Sequence, residues 1–206
     1  MAAGNPLEIA VIGWGSLIWC PGNLRIKTRW RSGGPPLPIE FGRISKDMRL
    51  TLVILPGSPN QQTYWALSEF GVIEEARQNL RQREGTKPAD IHFLLKKGEA
   101  SKDVPLTVRE QIAGWLNQRN DVDAALWTGL PGNWGEKRGK EFSPKDAVEY
   151  LVELENDKDS TQAAYDRARQ YVVNAPPGID TPVRKEMRLR GWLDAQLPQV
   201  LFEEEP

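Results

Sequence analysis

Ile9-Ala10-Val11-Ile12-Gly13-Trp14-Gly15-Ser16-Leu17-Ile18-Trp19-Cys20-Pro21-Gly22 is the stretch on which the reading of this chain turns. An apolar, partly β-branched run breaks abruptly into Gly-Trp-Gly-Ser and then turns apolar again. A continuous apolar run reads as a buried strand, and glycines at its end allow backbone angles that other residues resist. Glycine also removes the Cβ that keeps a ligand away from the backbone. The stretch predicts a strand followed by a tight loop with bare N–H groups, suited to a carboxylate or a developing oxyanion. The plainer reading is a strand end with the turn it needs.

Outward from this loop, strand-like patches fill the first third of the chain, at residues 8–14, 26–30, 38–43, 49–55 and 63–68. Gly33-Gly34-Pro35-Pro36 and Pro56-Gly57-Ser58-Pro59-Asn60 separate them with strong turn signals. From Val72 the period changes: Ile73, Ala76 and Leu80 fall at helical spacing among charged and amide residues up to Arg83, with Gly85 as the stop. Glu84 then stands in the last turn, at the negative end of the helix dipole, where an ionised carboxylate is disfavoured and burial would raise its pKa further. A carboxylate with a raised pKa is suited to general acid/base work near neutrality. The alternative for Glu84 is a surface residue paired with Arg81 or Arg83.

Farther along, residues 91–95 and 122–128 read as strands and 107–117 as a helix, with a solvated loop at 96–103. Residues 130–140 are rich in glycine and charge and read as irregular chain covering a cleft. Ser143-Pro144-Lys145-Asp146 is a helix start with a Ser N-cap and proline in the first turn. A second helix is expected over 161–173, stopped by Ala175-Pro176-Pro177-Gly178, and a third from Thr181-Pro182 to about Arg190. The acidic tail 202–206 reads as mobile. Among the eight tryptophans, Trp14 and Trp134 are flanked by glycine and are assigned to a pocket, the others mainly to the core.

Composition narrows the function classes. A formal net charge of −1 gives no bulk argument for nucleic acid or an anionic membrane as partner. The alternating cations at Arg25, Lys27, Arg29 and Arg31 suit one solvated strand face. Cys20 is the single cysteine and His92 the single histidine, which leaves no disulfide, no recognisable zinc constellation and no reason to pair the two as nucleophile and base. No apolar run approaches the ~20 residues that span a bilayer. With no basic segment before the first apolar run, the expectation is a soluble cytoplasmic protein.

Gly15-Ser16-Leu17-Ile18-Trp19 followed by Pro21-Gly22 resembles the opening motif of the gamma-glutamylcyclotransferase superfamily, in particular its glutathione-degrading ChaC branch. The likeness continues at Arg49-Leu50-Thr51-Leu52-Val53, at Tyr64-Trp65-Ala66-Leu67 and at Leu80-Arg81-Gln82-Arg83-Glu84-Gly85, and covers roughly residues 9–95. The interleaved Pro/Gly turns and the helix starts at Ser143 and Thr181 predict an α+β fold: a small mixed β-barrel, like that of the family, with packed helices over residues 1–130, and a helical extension packed on it over 131–206, where the resemblance no longer reaches. The resemblance implies a small-molecule gamma-glutamyl substrate held by Trp14, Gly15, Ser16 and Leu17, with Glu84 as general acid/base, no cofactor and no metal.

Three departures from the family pattern bear on specificity. Trp14 stands where the family has a tyrosine, Arg81 where the glutathione branch commonly has Asp, and no tyrosine follows Glu84 closely. Arg43, Ser45 and Arg49 are candidates for replacement polar contacts. Two other classes remain open: a non-catalytic module holding a small carboxylate or a partner's chain end, and an acyl transferase or hydrolase with Ser16 as nucleophile. The last needs a base near Ser16 and lacks the glycine two places after the serine that a nucleophile elbow carries.

Overall fold

Strand β1 (Ile9–Gly13) is paired along both edges and buried at every position. The computed structural model describes residues 5–156 and 162–193. In it, β1 runs antiparallel to β5 (Tyr64–Leu67) and parallel to β7 (Ala124–Thr128). β7 in turn pairs antiparallel with β6 (Ile91–Leu95), giving the sheet order β5-β1-β7-β6. A second antiparallel sheet places β2 (Pro36–Ile44) between β3 (Leu50–Ile54) and β4 (Asn60–Gln62). β4 and β5 are nearly continuous, so one extended segment changes sheets at Thr63. The buried Thr63 hydroxyl donates to the Pro35 carbonyl at 2.6 Å, and its own carbonyl accepts from the Gly34 amide. A strand that switches sheets in this way turns a corner of the core.

Among the described residues seven α-helices accompany the sheets: α1 (Ser16–Trp19), α2 (Ile73–Glu84), α3 (Leu106–Asn117), α4 (Trp134–Arg138), α5 (Pro144–Asn156), α6 (Gln162–Val173) and α7 (Pro182–Leu189). The α+β class is as expected. The ladders form two open sheets, however, and no closed barrel among the described residues. One reason lies at residues 26–30, which were expected to be a strand and are not. Only isolated bridges join Ile26 to Ser68 and Arg31 to Trp65. Between them the Thr28 hydroxyl replaces a backbone acceptor for the Leu67 amide, and the chain bulges to drop the Trp30 ring onto Gly13. A Cβ at Gly13 would fall 2.7 Å from that ring, so this glycine is required by packing.

The expected helix starts are present. The Ser143 hydroxyl accepts the Asp146 amide at 3.1 Å, and that of Thr181 accepts the Arg184 amide at 3.4 Å. The 130–140 segment, expected to be irregular, contains α4, whose left-handed cap is Gly139. Helix α6 packs on β3 and α7 on β2, and one hydrophobic cluster runs from β1 through α5 to Met187. The tail 202–206, expected to be mobile, lies outside the described residues.

Two buried polar groups fix the start of α7, one to the loop before it and one to β2. Arg184 is fully buried and its Nη1 donates to the carbonyls of Pro176 and Ile179, each at 2.9 Å. The equally buried Glu40 of β2 accepts the Phe41 amide at 2.8 Å and faces the Thr181 hydroxyl and Val183 amide at the start of α7. Burial outweighs these bonds and the Lys185 charge, and pushes the Glu40 carboxyl up from 4.5 to about 7.

Candidate active site

Ala76, Leu80 and Glu84 follow one another at i, i+4 along α2, so the stripe that buries the helix also carries Glu84 inward. Gly85 then ends the helix in the left-handed conformation (φ 61°), and the Thr86 amide turns back to the Arg81 carbonyl. Glu84 is thereby held at the helix end with its side chain only 16% exposed.

It faces a cavity of about 460 Å³ whose other walls include Trp14, Gly15, Ser16 and Leu17. The four loop residues and the glutamate singled out in the sequence therefore meet in one place. The loop is not wholly irregular, because Ser16 opens the single-turn helix α1, closed by the Cys20 amide on the Ser16 carbonyl at 2.8 Å. Trp14 is buried and its indole N–H reaches the Leu52 carbonyl at 3.4 Å.

Arg83 joins the two halves of the site. Its Nη1 donates to Glu84 Oε1 at 2.6 Å, while Nη2 donates to Ser16 Oγ at 3.1 Å and to the Cys20 carbonyl at 2.6 Å. Of the two arginines considered for Glu84, it is Arg83 that pairs with it; Arg81 turns instead to Gln78. Burial raises the Glu84 pKa, and the Arg83 charge and hydrogen bond offset only part of that rise.

The far wall is cationic. Arg43, Ser45 and Arg49 all line the cavity. Arg43 is anchored by a 2.7 Å bond to the Pro131 carbonyl and has no acidic partner among the described residues. Arg49 is paired with Asp47 at 2.8 Å. Between them, Met48 lies in the left-handed region (φ 65°), uncommon for a side chain of its size. Its carbonyl is held by the Tyr150 hydroxyl at 2.8 Å, which fixes this strained turn at the cavity rim.

One wall residue had no sequence signal. Tyr171, on α6, enters the cavity beside Gly15 and is hydrogen-bonded by both the side chain and the backbone amide of Ser16. Trp19 meets its ring edge-on at 5.3 Å, and the Arg49 guanidinium lies 5.7 Å from its centroid. Burial raises the phenol pKa despite the Ser16 bonds, so the group stays protonated at neutral pH.

His92 lies elsewhere: it stacks on Trp127 (6.0 Å, 19°) and lines a different cleft. Neither Ser16 nor Cys20 has a histidine among the walls of its cavity, so the nucleophile reading lacks its base. Trp134, also assigned to a pocket, lines that second cleft and not the Glu84 cavity. Of the alternating cations, Arg25 pairs with Glu69 and Lys27 with Glu8, while Arg31 lies 4.9 Å over the Trp65 ring. Among the described residues no group of three potential metal ligands occurs, and no helix is long and apolar enough to cross a membrane. No family model, curated protein or solved structure matches this chain.

Proposed function

We propose that this protein is a gamma-glutamylcyclotransferase-like enzyme, which cyclises a gamma-glutamyl amide or peptide to 5-oxoproline and releases the amine. The observation that carries the reading is the buried Glu84 carboxyl facing the Gly15–Leu17 loop across one cavity. The order of elements supports it too: a strand, a glycine loop, and a helix that returns a glutamate to that loop.

In this reaction the substrate's alpha-amino nitrogen attacks its own gamma-carbonyl carbon, and the amide C–N bond breaks. Glu84, ionised at the start, takes the proton that the ammonium must lose and later gives one to the leaving nitrogen. The net change transfers no electrons and needs no cofactor. The Gly15–Leu17 loop holds the glutamyl unit, and the Ser16 amide exchanges the Tyr171 hydroxyl for the carbonyl oxygen as that oxygen gains charge. Holding a flexible chain in its cyclising geometry supplies a proximity contribution as well. Arg83 fixes the Glu84 carboxylate and keeps it ionised to a lower pH than burial alone would allow. Trp14 walls the pocket, Tyr171 offers a neutral hydroxyl, and Arg43 and Arg49 suit the substrate's carboxylates. The altered wall argues for a gamma-glutamyl compound other than glutathione. A cytoplasmic setting fits a small-molecule enzyme with one unpaired cysteine.

A second reading has one observation in its favour. The 2.6 Å Arg83–Glu84 pair occupies the carboxylate that must act as base, as in a cavity that holds a small carboxylate without turning it over. Incubation with a panel of gamma-glutamyl dipeptides, glutathione and gamma-glutamylamines, with mass detection of 5-oxoproline, separates the two.

A further inference from the structure

The amide of Ser16 already carries an oxygen. Its backbone N–H and its side chain are both hydrogen-bonded to the Tyr171 hydroxyl. Ser16 Oγ in turn accepts from Arg83 Nη2 at 3.1 Å, so the chain of bonds that ends on the phenol begins at a guanidinium. A second guanidinium, that of Arg49, lies 5.7 Å from the centre of the same ring. Two converging donors with two cations behind them are a seat for an ionised oxygen, since hydrogen bonds to a charged acceptor are roughly twice as strong as neutral ones. The oxygen in that seat is a neutral one, because burial keeps the phenol protonated.

Tyr171 reaches the seat from the helical extension. It is a wall residue of the Glu84 cavity, and its ring meets Trp19 edge-on at 5.3 Å. The missing side chain at Gly15 makes the room: a Cβ there would fall 2.8 Å from the phenol oxygen. The same room and the same two donors suit an oxygen of a ligand. Phenol and ligand therefore exclude each other at this position.

We infer that Tyr171 is a built-in competitor for the anion seat of the cavity: a carboxylate or a developing oxyanion reaches the Ser16 amide only by displacing the phenol, and α6 thereby holds the site in check. This role rests on the Gly15–Leu17 loop being the element that holds the ligand. It adds to that loop a control exerted by the extension, which lies outside residues 9–95.

The sign of the effect distinguishes a competitor from an ordinary wall. Trimming a side chain that the ligand touches weakens binding. Trimming one that the ligand must displace strengthens it, because a cost paid before binding is removed.

Calorimetric titration with L-glutamate, whose carboxylates supply the ionised oxygen, compares the wild type with Tyr171→Phe and Tyr171→Ala, with circular dichroism confirming that the variants fold. Tyr171→Phe gives up the bonds to Ser16 and should bind L-glutamate about fivefold more tightly, the equivalent of one net hydrogen bond. Tyr171→Ala lacks the ring as well and should bind at least as tightly as Tyr171→Phe. In the 5-oxoproline assay kcat/KM should rise in both variants. Affinity for L-glutamate that is unchanged or weaker in either folded variant overturns the competitor role, as does absence of binding in all three proteins. Tighter binding by the variants with no 5-oxoproline from any substrate would keep the competitor and remove the cyclisation. Product from the wild type with unaltered affinity in the variants would do the reverse.

Discussion

The Tyr171 hydroxyl occupies the space that a side chain at Gly15 would need: a Cβ built on Gly15 falls 2.8 Å from it. Gly15 has a negative φ of −131°, so close approach and not backbone strain is what selects glycine here. The helical extension is thereby a wall of the same cavity that the first strand and α2 enclose.

Gly15→Ala should therefore push the ring out of the cavity and destabilise the protein by roughly 1–3 kcal/mol, as overpacking does. Tyr171→Phe removes the hydroxyl and should cost about 1 kcal/mol through the Ser16 bonds it loses. The double variant should be more stable than the two losses sum to, because the clash vanishes with the oxygen. Urea denaturation of the four proteins measures this. Strictly additive losses would contradict the contact.

Arg83 sets the pH at which Glu84 becomes a base. Arg83→Met deletes a charge that lowers the Glu84 pKa, so that pKa should rise further. The acidic limb of the kcat/KM profile should move to higher pH. A uniform drop in rate with an unmoved limb would mean that Arg83 only holds the loop.

Glu40 makes stability depend on pH. Its folded pKa of about 7 lies above the ordinary 4.5, so the native state binds the proton more tightly than the unfolded chain. That stabilisation is complete below about pH 4.5 and is lost as pH rises through about 7. Across this window the stability of the wild type relative to Glu40→Gln should fall, by up to about 3 kcal/mol. Glu84 shifts in the same direction but is present in both proteins and cancels. A flat difference between the two urea-midpoint curves would contradict the assignment.

Features that depend on neighbours in the chain were legible in the sequence. The apolar run of β1, the Ala76–Leu80–Glu84 stripe with its Gly85 stop, and the caps at Ser143 and Thr181 are written in local spacing, and they suffice to bring Glu84 and the glycine loop into view. What depends on distant partners was not. Residues 26–30 alternate like a strand, but the large Trp30 ring finds its place over Gly13, and Thr28 substitutes a side-chain bond for the ladder. That the strands form two open sheets depends on that edge and on the corner at Thr63, neither of which periodicity reveals. Tyr171 sits in an ordinary amphipathic helix, and only the packing of α6 on β3 turns it into a wall of the cavity.

The most direct measurement compares wild type and Glu84→Gln for 5-oxoproline release from the best substrate of the gamma-glutamyl panel. The exchange is nearly isosteric and removes the titrating carboxyl while leaving the fold intact by circular dichroism. The account predicts turnover by the wild type and a loss of ~10²–10⁴-fold in the variant, the usual contribution of a general acid/base. Undiminished turnover by Glu84→Gln, or no product from the wild type with any member of the panel, would contradict it.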